Sequence, residues 1–439
     1  MSMTQKLLLS SYPNLKDIPG PVPSFPLGNL RDLSSQSIWK VSEDVSARYG
    51  PYALLWVLNQ PVVFVHDPKA IDEILGAKSA AFFKDEPLAA MRPALRTDTA
   101  FTANGPEWQQ LRRTSFLSES MMGEWLTSGF EPGLRFLRAR IARDLPLRKG
   151  ANLEAWLYRL VFDFNSQMWL GRTVSETAFG AYNKIMDAIN VRLTTALPVL
   201  PPRFNHYKNI WYGALEEIVE QVRHEPDGHS MAHHLARHSH FTLADQVNHL
   251  SNAFPGGVWS VTAAIGDTLA HLCAQPRLLA DLKAQLATAT HSYETVVDPL
   301  EPSIRETFRH SAPVPTFMRR VKENPVTVGQ VTLDGGVRVM IGVYPLHRSA
   351  AHWSEPETYR PERWTRQLLQ ENPYGSDYLF PFGRGPRACL GSDVALFQIR
   401  SILTALLGDP ARRVSIDPVK DYSFYFGCRM PTGLRGSIA

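Results

Sequence analysis

FGRGPRACLG, residues 382–391, is the stretch on which the reading of this chain turns. It surrounds one cysteine, Cys389, with residues that change what its sulfur can do. A cysteine that binds a metal must be a thiolate, which calls for positive charge, backbone N–H donors and shelter from water. Gly383 and Gly385 let the backbone turn tightly around the sulfur, Pro386 stiffens that turn, and Arg387 brings positive charge. Gly391 permits close approach where an apolar helical run, DVALFQIRSILTALLG, begins. That helix would aim the positive end of its dipole at Cys389. Two plainer readings stand beside this one. Gly383-x-Gly385-x-x-Ala388 imitates a dinucleotide-binding glycine loop, yet no βαβ unit with an acidic residue about 20 positions on follows it. A buried structural cysteine in a glycine-rich turn is the other. Cys273 and Cys428 lack any such setting and read as inert packing or surface thiols.

Working outward, the chain has 439 residues, 44% of them hydrophobic and 20% charged, with a formal net charge of +4. Length alone suggests about two or three domains. The basic residues are scattered rather than gathered in a stripe, which argues against nucleic acid as a partner. Three cysteines cannot build a disulfide framework, and nothing resembles a secretory signal. The apolar run Leu7-Leu8-Leu9 is far short of the roughly 20 residues a membrane span needs. A protein without a membrane span, in a reducing cytoplasm, is expected.

Along the chain, residues 17–28, DIPGPVPSFPLG, are too rich in proline for a helix and should lie extended. YGPYALLWVLNQPVVFVHDP reads as a hairpin with Asn59-Gln60-Pro61 between its strands, followed by a short helix at PKAIDEILG. Residues 84–107 read as a long loop, and helical patterns dominate from Trp108 to about residue 310. VTVGQVTLDGGVRVMIGVYP returns to β character with Gly335-Gly336 as its turn, and residues 349–388 are mostly irregular. Strands at both ends of a helical middle, with no Gly/Ser linker, favour one intertwined α-rich domain.

The cysteine stretch resembles the haem-binding loop of the cytochrome P450 family: Phe382, Gly385, Arg387, Cys389 and Gly391 all match. The resemblance implies a mainly α fold with small β-sheets, a single triangular haem-binding domain over residues 1–439, and haem b with Cys389 as the axial iron ligand. Other segments extend the likeness. Glu306 and Arg309 in SIRETFRH stand one helical turn apart, and YRPERW supplies Arg363. By themselves they read as a solvated pair and a lone charge; with the resemblance they become a Glu–Arg–Arg triad that locks the cysteine loop. Trp108-x-x-x-Arg112 resembles the family's helix beside a haem propionate, and PVPTFMRR adds Arg319 as a second propionate partner, with Arg387 a third. The planar guanidinium fork suits a carboxylate.

One departure bears on the chemistry. A central distal helix, about 242–275, should start at an N-cap Thr242 and enclose Pro255-Gly256-Gly257-Val258-Trp259-Ser260. Where the family has an acid followed by threonine, this chain has Trp259 and Ser260. Pro255 and the glycines should kink the helix. The kink is either tolerated packing or a widened distal pocket in which Gly257 allows close ligand approach. An indole cannot relay a proton as a carboxylic acid does, since its N–H is only a donor. Ser260 could hold a water; Asp267, two turns on, should not substitute.

Two readings of activity follow. One is a bacterial-type monooxygenase oxidising a small organic molecule in specialised metabolism, with external electron supply from a ferredoxin and its reductase docking on Arg112, Arg113, Arg384 and Arg400. The other is haem-thiolate chemistry without reductive oxygen activation: peroxide-dependent oxidation, rearrangement, dehydration or nitrene- or oxene-type transfer. A haem-based sensor or carrier is a third. The resemblance draws the substrate pocket from Phe101, Phe254, Phe317, Met318, Phe424 and Tyr425 as well as Trp259, which suits a flat or apolar substrate. A monomer is expected. Six histidines crowd residues 224–240; His234 and His238 have metal-pair spacing, but the segment reads as solvated. His347-Arg348 has no assigned role.

Overall fold

A computed structural model describes residues 7–84, 86–115, 119–195, 199–225, 228–237, 241–289 and 293–439. The fold is mainly helical with small sheets. In chain order, helix α1 (Ile38–Tyr49) leads to strands β1 (Tyr52–Val57) and β2 (Gln60–Val65), helix α2 (Pro68–Leu75) and strand β3 (Phe82–Lys84). The middle runs through α3 (Gly105–Arg113), α4 (Glu119–Asp144), β4 (Leu147–Asn152), α5 (Leu153–Leu170), α6 (Glu176–Thr195) and α7 (Phe204–Arg223). Then come α8 (Leu243–Gly257), α9 (Trp259–Cys273), α10 (Pro276–Thr288) and α11 (Tyr293–Ser311). Strands β5 (Thr316–Val321) and β6 (Arg338–Gly342) precede helix α12 (Ser392–Leu407), and β7 (Val414–Ile416), β8 (Asp421–Tyr425) and β9 (Arg435–Ile438) close the chain.

The backbone groups into two compact units. The first comprises Met1–Asp85, Arg305–Cys389 and Gly427–Arg429. Its sheet has the order β1-β2-β6-β5-β3, antiparallel except between β2 and β6. Because side chains alternate along a strand, Val41 and Val45 of α1 pack on the face carrying Ala53, Leu55, Val62, Phe64 and Met340. The β1–β2 turn falls at Leu58-Asn59, with Leu58 at φ 57°, rather than at Asn59-Gln60-Pro61. Gln60 pairs with Val57 and Pro61 with Trp56, so both already belong to the strand. Residues 326–342 likewise make two turns instead of one. A small hairpin pairs Val328 with Val331, and Gly336, at φ 81°, leads into β6.

The second unit comprises Glu86–Ile304, Leu390–Phe426 and Met430–Ala439. At its centre, α12 is buried almost all round from Val394 to Leu407 and mostly apolar, with Gln398, Arg400, Ser401 and Thr404 as its buried polar residues. A helix hydrophobic all round must be a core helix, and α4, α5 and α9 surround this one. Phe397 meets Phe130 edge-on at 6.0 Å and stacks near Phe164 at 6.4 Å. Each wholly buried Leu or Phe contributes about 1.5–3 kcal/mol. Residues 84–107, expected as a loop, contain a 3-10 helix over Glu86–Ala94.

Thr242 caps α8 as expected, its hydroxyl accepting from the Asp245 N–H while the Asp245 carboxylate accepts in return. The central helix is broken rather than merely kinked. α8 ends at Gly257 and α9 starts at Trp259, with Val258 between them at φ −102° and ψ −58°.

Arg400 does not form part of a landing surface. It lies on the buried α12, donating to Tyr293 Oη at 2.7 Å and to the Glu301 carboxylate at 2.5 Å. Its guanidinium is 10% exposed and the carboxylate 11%. Arg400→Met would leave that carboxylate buried without its cation. Urea unfolding should show a loss of about 3–5 kcal/mol, the usual cost of breaking a buried pair.

Candidate functional site

In the first unit the cysteine loop is built from the backbone outward. Gly383 donates its N–H to Phe380 O at 2.9 Å, Ala388 to Gly385 O at 3.0 Å, and Cys389 to Phe382 O at 2.8 Å. Gly383 and Gly385 have φ values of 66° and 70°, in the left-handed region that favours glycine. At Gly385 a Cβ would also stand 2.0 Å from the Leu75 carbonyl oxygen, so no larger residue fits. Phe382 is pinned edge-on against Phe308 at 5.1 Å and Tyr374 at 5.5 Å. Cys389 emerges exposed, two residues before Gly391, the N-cap of α12. The other cysteines contrast with it. Burial pushes the Cys273 thiol up to about 11 and the Cys428 thiol to about 12, so both stay protonated and inert.

Arg319 lies on β5, 8% exposed. Burial, together with the nearby charge of Arg387, lowers its pKa to about 10. Its guanidinium donates to Met318 O at 2.8 Å, and among the described residues no carboxylate pairs with it. Two guanidiniums near each other, one of them buried without an acid, make a place for an anion. This is what a propionate-bearing haem requires. Phe317 shares the Arg319 face and lies 3.7 Å from where a Gly383 Cβ would be. Met318 points the opposite way and packs on the core of α1 and the sheet. It is therefore removed from the pocket set.

Glu306, Arg309 and Arg363 do converge. Glu306 is wholly buried and accepts from Arg309 Nη2 at 2.8 Å, Arg309 Nε at 3.0 Å and Arg363 Nε at 3.1 Å. The Arg360 N–H at 2.8 Å and Trp364 Nε1 at 2.9 Å complete the cluster. The arginines spend their remaining donors on the irregular segment: Arg309 on His347 O, Pro356 O and Thr358 O, Arg363 on Ser354 O, Glu355 O and Thr358 O. The pairing is thus a scaffold for residues 354–364, not a solvated bridge.

His347 is a supporting residue for which the sequence offered no role. It is wholly buried, with Nδ1 against Phe308 O at 3.1 Å and Nε2 accepting the Phe380 N–H at 3.0 Å. It thereby ties α11 to the segment entering the cysteine loop. The sequence signals were a histidine in the apolar run VYPLH and the likeness of His347-Arg348 to the family's His-Arg step, which Ser349 in place of the usual aspartate left without a role. Arg384 is likewise engaged: its side chain is 10% exposed and donates to Asp377 at 2.7 Å and Pro68 O at 3.3 Å. It offers no open cation for docking, unlike Arg113, which is exposed.

In the second unit, Trp108 and Arg112 stand four residues apart on α3, both half-buried while Glu107, Gln109, Gln110 and Arg113 are exposed. They share a face, as the spacing predicts. On the broken distal helix, Gly256 has open space where a Cβ would be, but the Cβ position of Gly257 faces Asn165 Oδ1 at 3.0 Å. The expectation that Gly257 admits a ligand is corrected: Gly257 admits Asn165, and Gly256 is the open one. The Ser260 hydroxyl donates to Gly256 O at 3.2 Å. Trp259 stacks on Tyr158 at 4.2 Å and packs against Tyr425 at 4.3 Å, and its Nε1 has no hydrogen-bond acceptor among the described residues. Tyr158 and Tyr425 are anchored in turn by Asn183 at 2.5 Å and Asp187 at 2.7 Å. The indole is packing material. Asp267 is wholly buried and accepts from Tyr422 Oη at 2.9 Å, which suits a structural role.

Among the other pocket candidates, Phe254 is wholly buried between Phe162, Tyr182 and Trp211, which leaves it no face for a ligand. Phe101 is 40% exposed, and Phe424 and Tyr425 are half-buried. In the histidine-rich segment, His233 is buried against Ser230 rather than solvated, with 2.6 Å between Nδ1 and Oγ. His238 lies outside the described residues, and no metal-ligand cluster occurs among those described.

Comparison with known proteins agrees on one family. The family model described as Cytochrome P450 matches residues 18–409. Cytochrome P450 71A18 of Arabidopsis thaliana is 22% identical over 90% of this chain and 86% of its own length. Cytochrome P450 3A5 of Homo sapiens is 24% identical over 92% and 86%. Trans-cinnamate 4-monooxygenase of Catharanthus roseus is 20% identical over 86% and 83%. Among the described residues, no helix is long and apolar enough to cross a membrane.

Two tests follow from this geometry. Glu306→Ala leaves Arg309 and Arg363 buried without their carboxylate, at a cost of about 3–5 kcal/mol, and the purified variant should retain little or no haem. Acid should weaken the same scaffold. Burial holds the His347 and His66 pKa values down at about 4. An unfolded histidine titrates near 6.5, so protons favour the unfolded chain first. Stability present above pH 6.5 is lost as the pH falls from about 6.5 to about 4, by up to about 1.4 kcal/mol per pH unit per histidine. Urea titrations across that range should show the slope, and His347→Gln should flatten it.

Proposed function

The chain belongs to the cytochrome P450 family of haem oxidoreductases, and on that premise we propose that Cys389 would hold the iron of a haem b in an enzyme that oxidises a small organic substrate. The observation that carries this is the exposed Cys389 on a turn that only glycine at position 385 can make, beside the buried, acid-free Arg319. Arg319 and Arg387 would hold the propionates. When bound, the haem would supply the redox chemistry, with the Cys389 thiolate donating electron density to its iron.

The chain's own residues set the conditions. Arg387 and the N-terminus of α12 favour the thiolate over the thiol. Phe382, Gly383 and Gly385 fix where the sulfur stands, and the Glu306 cluster keeps the supporting backbone from shifting. On the distal helix, the Ser260 hydroxyl and Gly256 carbonyl can hold a water molecule. Trp259 excludes water from the position where a carboxylic acid would otherwise relay protons. The half-buried Phe317, on the unit that carries the cysteine loop, suits a flat or apolar substrate of the kind used in specialised metabolism. Electrons come from a separate ferredoxin and reductase, with the exposed Arg113 as a docking charge. Monooxygenation is also the activity in the name of the Catharanthus roseus relative.

Trp259 supports a second reading, because its stacked indole replaces the relay with packing. In that reading the same haem site performs peroxide-driven oxidation, rearrangement, dehydration or group transfer without reductive oxygen activation. Turnover of substrate with neither oxygen nor reductant would establish it. Strict dependence on both would establish the monooxygenase.

The haem assignment itself is tested by spectroscopy. Protein expressed with ample haem should give the thiolate-type Soret band when reduced under carbon monoxide. Cys389→Ser should lose that band, and retention of it would overturn the reading.

A further inference from the structure

Pro255 has no N–H, so the helix ladder over Ser251 is interrupted, and the break at Val258 removes a second set of helical bonds just beyond it. Carbonyls released in a buried helix must find other donors. One donor comes from α5. Asn165 is wholly buried, and its Nδ2 donates to Gly257 O at 3.2 Å and to Val161 O at 2.9 Å. Its Oδ1 accepts from Trp169 Nε1 at 2.8 Å and Gln398 Nε2 at 2.9 Å. Both ends of the amide are thus matched, two donors to two carbonyls and two acceptor sites to two N–H groups. Reversing the amide would set oxygen against oxygen and nitrogen against nitrogen, so its orientation is locked. Gln398 sits on α12, the helix that starts three residues after Cys389, and the Gly257 Cβ position is closed by Asn165 itself.

We infer that Asn165, locked by Gln398 and Trp169, is a positioning residue that holds the distal helix open at Gly257 and so sets where the Gly256 carbonyl and the Ser260 hydroxyl point. The inference deepens the haem-thiolate reading and rests on it, since it makes this amide the element that shapes the distal face. An amide serves this task where a carboxylate would fail, because a carboxylate cannot donate to two carbonyls. It also bears on the glycine at 257: a Cβ there would stand 3.0 Å from Asn165 Oδ1, so the amide would have to give by a few tenths of an ångström.

The test uses the haem-loaded enzyme and compares Asn165→Ala, Gln398→Met and the control Ser166→Ala. Ser166 is equally buried and donates only to Phe162 O on its own helix, at 3.0 Å. Two readouts are taken: the C–O stretching band of the ferrous carbon monoxide complex, and hydrogen exchange of the backbone amides at 256–262. Asn165→Ala should shift or split the band and speed exchange at the break roughly tenfold, as for one lost buried hydrogen bond. Gln398→Met, which keeps three of the four amide bonds, should move both readouts in the same direction by less. Ser166→Ala should move neither. If Asn165→Ala does not fold, Gln398→Met decides. Wild-type values in the Asn165 and Gln398 variants, or equal changes in all three, would overturn the proposal. A wild-type protein lacking the thiolate-type Soret band would instead sink the haem assignment.

Discussion

Everything on the cysteine side of this protein depends on one buried carboxylate. Glu306 takes five donors from Arg309, Arg363, Arg360 and Trp364, and nothing but those donors makes an ionised carboxylate tolerable at zero exposure. The two arginines then have donors left over, and these collect carbonyls from residues 347–358, a stretch with little regular hydrogen bonding of its own. His347 carries the same constraint forward to Phe380, three residues short of Gly383. A loop that must present a sulfur at a fixed place is thereby held by charge and by a neutral imidazole rather than by secondary structure.

The distal helix answers a different problem. Its sequence contains a proline and two adjacent glycines in a segment that is otherwise apolar and helical, so the break is intrinsic. What the break looks like is extrinsic. Asn165 selects which carbonyl turns out of the ladder, and the Tyr158–Trp259–Tyr425 stack fixes the first residue of α9. The large indole at the acid position therefore belongs to the aromatic packing of α5, α6 and β8, and the serine after it keeps a hydroxyl on the open side. An acid at position 259 would lie between two tyrosine rings, a poor place for a charge.

Motif residues were legible in the sequence in proportion to how local their logic is. Gly385 is required by a positive φ and by the Leu75 carbonyl oxygen 2.0 Å from where a Cβ would stand; the first cause is local, the second needs the tertiary fold. The Thr242 capping box and the shared face of Trp108 and Arg112 follow from spacing alone. Surface charge was the least legible. Arg400 and Arg384 look like ordinary surface cations in sequence, yet one is enclosed by Tyr293 and Glu301 and the other by Asp377 and Pro68. The candidate pocket aromatics divided for a similar reason. The two-residue period of β5 turns Phe317 and Met318 to opposite faces, and Phe254 disappears into a cluster whose other members lie on α5, α6 and α7.

By itself the sequence determined the family, the glycine-rich setting that one cysteine of the three has, the helical middle between β-rich ends and the weakness of the central helix. These rest on backbone chemistry and short-range spacing, which any fold must respect. Only the tertiary structure decided that His347 and Asn165 matter, that Gly256 rather than Gly257 is open, and that Trp259 is packed between tyrosines. Those outcomes depend on which distant atoms arrive to satisfy a buried donor, acceptor or ring face, and no local pattern encodes that arrival.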